Sequence, residues 1–195
     1  MSKKYSNTTA DYLSWDQNLN LIRRLFDDGE HKMSLLISLG SFWGLRISDL
    51  LRIKWDDILD KDEFKLVEKK TGKSRDIKIN QQLQRHIKEC YNKIAPHNSE
   101  DYIFTSQKGS VYSIQRINVI FKEIKQRYKI DINNFSTHTM RKTFGREVFG
   151  KAGTQAELAL VKLSQLFNHS STLITRRYLG IAKEELMQTY DVLSF

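Results

Sequence analysis

Cysteine and proline are almost absent: the 195-residue chain carries one of each, Cys90 and Pro96. A lone cysteine closes no internal disulfide, which points to a reducing compartment. With only nine glycines besides, collagen-like and low-complexity architectures are excluded. No apolar run nears the roughly 18 residues of a membrane span. The lysines of the opening segment Met1–Tyr5 are followed by no apolar stretch, so it is not expected to act as a signal peptide. Acidic residues are also in deficit, 23 against 32 Lys plus Arg, giving a net charge of +9. Clustered cations replace counterions on a phosphate backbone, so this balance favours a polyanionic partner over mere solubility. Hydrophobic residues at 39% and aromatics at 11% suffice for a core and exclude global disorder. The length suits one domain.

Periodicity predicts a mainly helical domain with one small antiparallel sheet, an α+β class. Residues 1–12 read as a polar, loose tail. A helix follows from Ser14, a plausible N-cap, with Leu19, Ile22 and Phe26 inward, and Asp27-Asp28-Gly29 breaks it. A second runs from about Lys32 to Trp43, interrupted by Gly44, and a third from Ile47 to Ile53. The period then changes: Trp55–Leu59, Phe64–Lys70 and Arg75–Ile79 read as three short strands, the last two joined by Thr71-Gly72-Lys73-Ser74. Beyond them come helices marked by Leu83, Ile87, Cys90 and Ile94, and by Ile117, Phe121 and Ile124. Three more are expected near 137–149, 154–167 and 172–178, and a final amphipathic segment from Ala182.

Several positions could carry chemistry, though each has a blander reading. Arg46 opens a helix with Asp49 three residues on, where the acid could hold the guanidinium or neighbouring backbone; an ordinary surface pair is the plainer reading. Lys69 and Lys70 sit at a hairpin tip, where strand alternation would turn them to opposite faces; most such basic turns are simply solvated. His138 and Arg141 share a helical face, suited to proton transfer and to gripping two phosphate oxygens, but such pairs are common on surfaces. Asn168-His169 ends one helix and Tyr178 ends the next. A tyrosine hydroxyl, with a pKa of about 10, attacks only beside a base and stabilising cations; otherwise it is packing.

Taken in order, Arg46, Lys70, His138-x-x-Arg141, His169 and Tyr178 resemble the catalytic domain of the tyrosine recombinases, the phage-integrase family of DNA breaking and rejoining enzymes. Gly44-Leu45-Arg46-Ile47-Ser48-Asp49-Leu50 is similar to the family's first arginine box, Lys70-Thr71-Gly72-Lys73 to its hairpin lysine, and Phe167-Asn168-His169-Ser170-Ser171 to its Leu-Gly-His-Ser segment. The spacing from Arg46 fits Lys70 better than Lys73. Two departures stand out: Asn168 where glycine is commoner, and Asp49 where glutamate is. The resemblance implies a catalytic domain over 13–181 that forms a 3′-phosphotyrosine link to DNA without metal, ATP or other cofactor. Tyr178 would be the nucleophile, Arg46 and Arg141 would grip the phosphate, and Lys70 would protonate the leaving oxygen. His138 would take the tyrosine proton, His169 would hydrogen-bond the phosphate, and Asp49 would support the site.

Lys73, Arg75, Lys142, Arg176 and Arg177 are expected along the double-stranded DNA. Residues 182–195 resemble the family's tail element, which docks on a neighbouring protomer in a DNA-bound homo-tetramer; a helix folded on its own domain is the alternative. No membrane contact and a cytoplasmic, nucleoid-associated location are expected. Most family members carry an N-terminal helical domain that completes a clamp on DNA, and only about a dozen residues precede the catalytic region here. An excised catalytic domain and a minimal recombinase both fit. Competing readings are a type IB topoisomerase, a non-catalytic DNA-binding module and a metal-dependent nuclease, the last lacking an acidic cluster.

Overall fold

The computed structural model describes residues 10–192. Ten α-helices and a two-stranded antiparallel sheet make up the described residues, confirming the α+β class. Helix α1 (Trp15–Asp27) starts at a capping box, Ser14 accepting from the Gln17 N–H while the Gln17 side chain accepts from the Ser14 N–H. Its inward face holds Leu21, Ile22 and Leu25. Helix α2 (His31–Trp43) is buried nearly all round, as its apolar residues, interspersed only with small serines and a glycine beyond Met33, require. Its serines stay satisfied in the core: Ser34 donates to the Ile22 carbonyl (2.7 Å) and Ser41 to the Ile37 carbonyl (2.6 Å). It packs on α1, on α5 (Gln81–Ile94) and on α7 (Thr137–Lys151).

Short helices α3 (Ile47–Leu50) and α4 (Trp55–Ile58) lead to β1 (Glu63–Val67) and β2 (Ser74–Lys78), paired from Glu63↔Lys78 to Val67↔Ser74. The inward pair Phe64↔Ile77 is buried, and the Phe64 ring lies 4.9 Å from that of Trp43. Helix α6 (Ile114–Arg127) and α7 close the main core. A second apolar cluster joins α8 (Ala156–Phe167), α9 (Thr172–Leu179) and α10 (Ile181–Gln188) through Leu160, Leu163, Phe167, Leu179 and Ile181. Helix α7 packs on both α2 and α8, so its side chains lie where the two clusters meet.

The structure corrects four expectations. Trp55–Leu59 is a helical turn, not a strand: Asp57 accepts from the Lys54 N–H (2.8 Å), and Trp55 and Ile58 reach the core together at a helical spacing of three. The first strand ends at Val67; beyond it the Glu68 backbone N–H donates to the Lys73 carbonyl (3.0 Å) and the Gly72 N–H to the Glu68 carbonyl (2.9 Å), closing a turn. Lys69 and Lys70 therefore belong to a turn, and strand alternation does not govern them. The third helix stops at Leu50 and continues only as a turn. Of the expected tail, residues 1–9 lie outside the described residues, whereas Asp11 and Tyr12 are pinned. Asp11 exchanges hydrogen bonds with Asn134, and Tyr12 accepts from Arg146 (2.7 Å).

Gly44 ends α2 in the left-handed region (φ 60°), and a Cβ there would meet the Phe144 ring at 2.4 Å. The Gly44→Ala variant therefore combines left-handed strain with overpacking, about 2–4 kcal/mol together. Its urea midpoint should fall accordingly with an unchanged m value; an unchanged midpoint would show that Phe144 swings aside freely.

Candidate active site

Helices α2 and α8 end close together, and the last carbonyls of a helix have no partner within it. Arginines fill that need. Arg141, on α7, donates to the Gly44 carbonyl (2.6 Å) and the Phe167 carbonyl (3.0 Å). Arg46, which directly precedes α3, donates to the same Phe167 carbonyl (3.1 Å). Arg75, on β2, donates to the carbonyls of Trp43 (3.1 Å) and Leu166 (3.3 Å). The negative ends of two helix dipoles thus face three guanidinium groups. Arg141 also lies over the Phe167 ring, 4.2 Å from its centroid. Burial brings the Arg141 pKa down to about 10, with the Tyr178 interaction opposing that shift; the group remains a cation at neutral pH.

Beyond Phe167 the chain turns through Asn168 at φ 51°, with the His169 N–H donating to the Ser164 carbonyl (2.9 Å). Asparagine tolerates this left-handed position, so the usual turn survives the loss of glycine. It delivers His169 to Thr175, whose hydroxyl lies 2.9 Å from Nδ1, and leaves Nε2 without a partner among the described residues. Thr175 and Tyr178 share a face of α9 at a spacing of three. The Tyr178 ring stands 5.4 Å from that of His169 and 5.7 Å from that of Phe167, with Lys142 Nζ 5.3 Å from its centroid. Its hydroxyl is buried without a hydrogen-bond partner among the described residues. Burial pushes the phenol up to about 12, although Arg141 and Arg46 pull the other way. His169 titrates below the usual imidazole range through burial, then through the charges of Arg141 and Arg46.

Arg46, Arg141, His169 and Tyr178 therefore converge around Phe167. His138 lies at the start of α7, its pKa lowered by partial desolvation and by the charges of Arg141 and Lys142. Asp49 does not pair with Arg46 but accepts from the Lys69 N–H (2.9 Å), fully buried, so it holds backbone. Lys70 is exposed in the hairpin turn, whereas Lys73 reaches Asn168 Oδ1 (2.8 Å).

Four of the five residues expected along DNA have protein partners, Lys73 through Asn168 among them. Arg75 staples the helix ends, Lys142 is buried over Tyr178, and Arg176 is ion-paired with Glu157 and Glu185. Arg177 is exposed with no partner among the described residues. Sequence reasoning missed Glu68, which pairs with Arg46 (2.8 Å), and Thr175. An acid directly before the Lys69-Lys70 run, and a threonine one turn before the tyrosine, were the legible signals. No group of three or more His, Cys, Asp or Glu suited to a metal ion occurs among the described residues.

The phage integrase family model matches residues 17–185. The probable integrase/recombinase YoeC of Bacillus subtilis is 34% identical over 150 residues, covering 76% of this chain and 77% of YoeC. The tyrosine recombinase XerC of Caldanaerobacter subterraneus subsp. tengcongensis is 23% identical over 193 residues, or 97% of this chain and 53% of XerC. In fold, the crystal structure of XerA recombinase gives a TM-score of 0.69 at 20% identity, covering 96% of this chain and 67% of that one. XerH recombinase bound to a palindromic difH substrate gives 0.70 at 17% identity, covering 97% and 55%. The chain thus spans about half the length of XerC and XerH. An identity of 34% carried along 77% of YoeC, together with a family match running from α1 into α10, makes this chain a member of the phage integrase family of tyrosine recombinases.

Proposed function

We propose that the chain is the catalytic domain of a site-specific DNA recombinase working through a 3′-phosphotyrosine intermediate. The observation that carries this reading is the Tyr178 hydroxyl, buried and unpartnered in the field of two arginines. In the proposed step Tyr178 Oη attacks a DNA phosphorus and its proton passes to His138. The new O–P bond forms as the P–O5′ bond breaks, and Lys70 gives the departing 5′-oxygen its proton. Rejoining is the reverse. Because the phosphoester is conserved in the covalent link, no ATP is needed. Arg46 and Arg141 each have five N–H donors and spend two on protein, so both retain donors for non-bridging oxygens in the five-coordinate transition state. His169 Nε2 would contact one of those oxygens.

The partner is double-stranded DNA, with Lys73 and Arg177 as candidate phosphate contacts; the structural neighbours include XerH site-specific recombinase bound to a palindromic difH substrate. The proposed homo-tetramer assembles through the C-terminal segment. There α10 folds back through buried Ile181 and an Arg146–Glu184 pair (2.7 Å), while Leu186, Met187 and Tyr190 stay exposed. No helix among the described residues is long and apolar enough to cross a membrane, and the proposed place of action is the cytoplasm, at the nucleoid. Two-site recombination, rather than supercoil relaxation alone, separates this reading from a topoisomerase.

Three outcomes are expected. Tyr178→Phe abolishes the covalent adduct on a nicked suicide substrate while leaving DNA affinity nearly intact; an adduct formed by this variant would place the nucleophile elsewhere. Lys70→Ala slows cleavage but is rescued by a 5′-bridging sulfur, whose departure needs no proton; rescue of Lys73→Ala instead would transfer the acid role to Lys73. Both active-site imidazoles titrate below the usual value of about 6.5. The proton-accepting neutral form therefore persists as pH falls through 6.5, and single-turnover cleavage declines only below that value. A midpoint above it would count against an imidazole base.

A further inference from the structure

The Lys70 side chain has no partner among the described residues, yet the turn that carries it is held on both sides. Before it, the Lys69 N–H donates to Asp49 Oδ1 at 2.9 Å. After it, the Thr71 hydroxyl donates to Glu68 Oε2, also at 2.9 Å. That same carboxylate oxygen accepts from Arg46 Nη1 at 2.8 Å, and Arg75 Nη1 stands 4.0 Å from the other oxygen. Glu68 is 5% exposed. One buried carboxylate therefore touches the guanidinium expected to grip the phosphate and the turn that carries the expected leaving-group acid.

Resting on the recombinase reading above, we propose that Glu68 is a positioning residue that, through Thr71, locks Arg46 and the Lys70 turn into a single unit. Arginine and lysine then reach one phosphate in a fixed relation. An ionised carboxylate suits this task because it only accepts, and one oxygen can serve two donors. Burial alone would raise the Glu68 carboxyl pKa, but hydrogen bonds from Thr71 and Arg46, with the charges of Arg46 and Arg141, hold it below the usual glutamate range. Asp49 anchors only backbone, so Glu68 is the acid that links side-chain chemistry on both sides of the site. A residue serving only as a counterion for the arginines would affect every substrate alike. A residue that places the acid matters most where a proton must be delivered.

That difference is measurable. Nicked duplexes are obtained by covalent capture of random-sequence DNA on the wild-type chain, then rebuilt with 5′-bridging oxygen or 5′-bridging sulfur. Single-turnover adduct formation is compared for wild type, Thr71→Val, Glu68→Gln and, as reference, Lys70→Ala, with folding checked by thermal melting. Thr71→Val is nearly isosteric and removes the hydrogen bond to Glu68, together with the longer one that Thr71 Oγ1 accepts from the Lys73 N–H within the turn (3.3 Å). It should slow the oxygen substrate by about tenfold or more, part of the 10²–10⁴ a general acid supplies, and keep the sulfur substrate within about twofold of wild type. Glu68→Gln should slow both, because Arg46 loosens too, with the oxygen substrate slowed further. Equal slowing of both substrates by the two variants, or no slowing of either, overturns the positioning role. Absence of any Tyr178-dependent capture overturns the recombinase reading, and this inference with it, a result distinct from the first.

Discussion

The meeting of two helix carboxyl ends organises this molecule. Helices α2 and α8 direct their unpaired carbonyls at one another's neighbourhood, an arrangement that isolated helices would resist because the negative dipole ends repel. Arg46, Arg75 and Arg141 resolve the conflict by donating to Trp43, Gly44, Leu166 and Phe167. Charge that would be costly to bury is matched by oriented backbone oxygen, and by Glu68 beside Arg46 and Arg75. Remove the helix ends, and one buried and two partly buried cations would lack compensation; remove the cations, and the two apolar clusters would lose a bond between them.

The same arrangement creates a chemical site. Arginines fixed by protein carbonyls need not reorganise to meet an anion, which is the physical content of electrostatic preorganisation. Tyr178 stands at the edge of this field, its ring among Phe167, His169 and Lys142. Burial keeps the phenol protonated at rest, so its reactivity waits for a base and for a substrate. The hairpin acts as a third arm: it is not part of the helical scaffold, and buried acids on its inner side set where its lysines stand.

Much of this was legible in the sequence, and the failures share a cause. Long amphipathic helices such as α1, α5 and α6 follow from periodicity, and the box residues Arg46, Arg141, His169 and Tyr178 do converge. Trp55–Leu59 misled because a short apolar–acidic stretch suits a strand or a helical turn equally, and one cap from Asp57 decided it. Arg75 and Lys142 were expected along DNA, and what sequence could not show is that Arg75 also bonds helix-end carbonyls and Lys142 is buried beside Tyr178, because sequence shows charge but not burial. Asn168 looked like a departure, yet its backbone takes the conformation a glycine would.

By itself the sequence determined the long amphipathic helices, the single cysteine, the basic balance and which side chains are candidates for chemistry, because these depend on local spacing and residue chemistry. Tertiary structure alone decided the partners. Arg46 meets Glu68 and not Asp49, and Arg46 and Arg141 share the Phe167 carbonyl, 121 and 26 residues away from them along the chain. Such pairings join residues far apart in the chain, and no local pattern encodes them. They arise from packing, which brings orphan carbonyls and buried carboxylates together and so selects the cations that neutralise them.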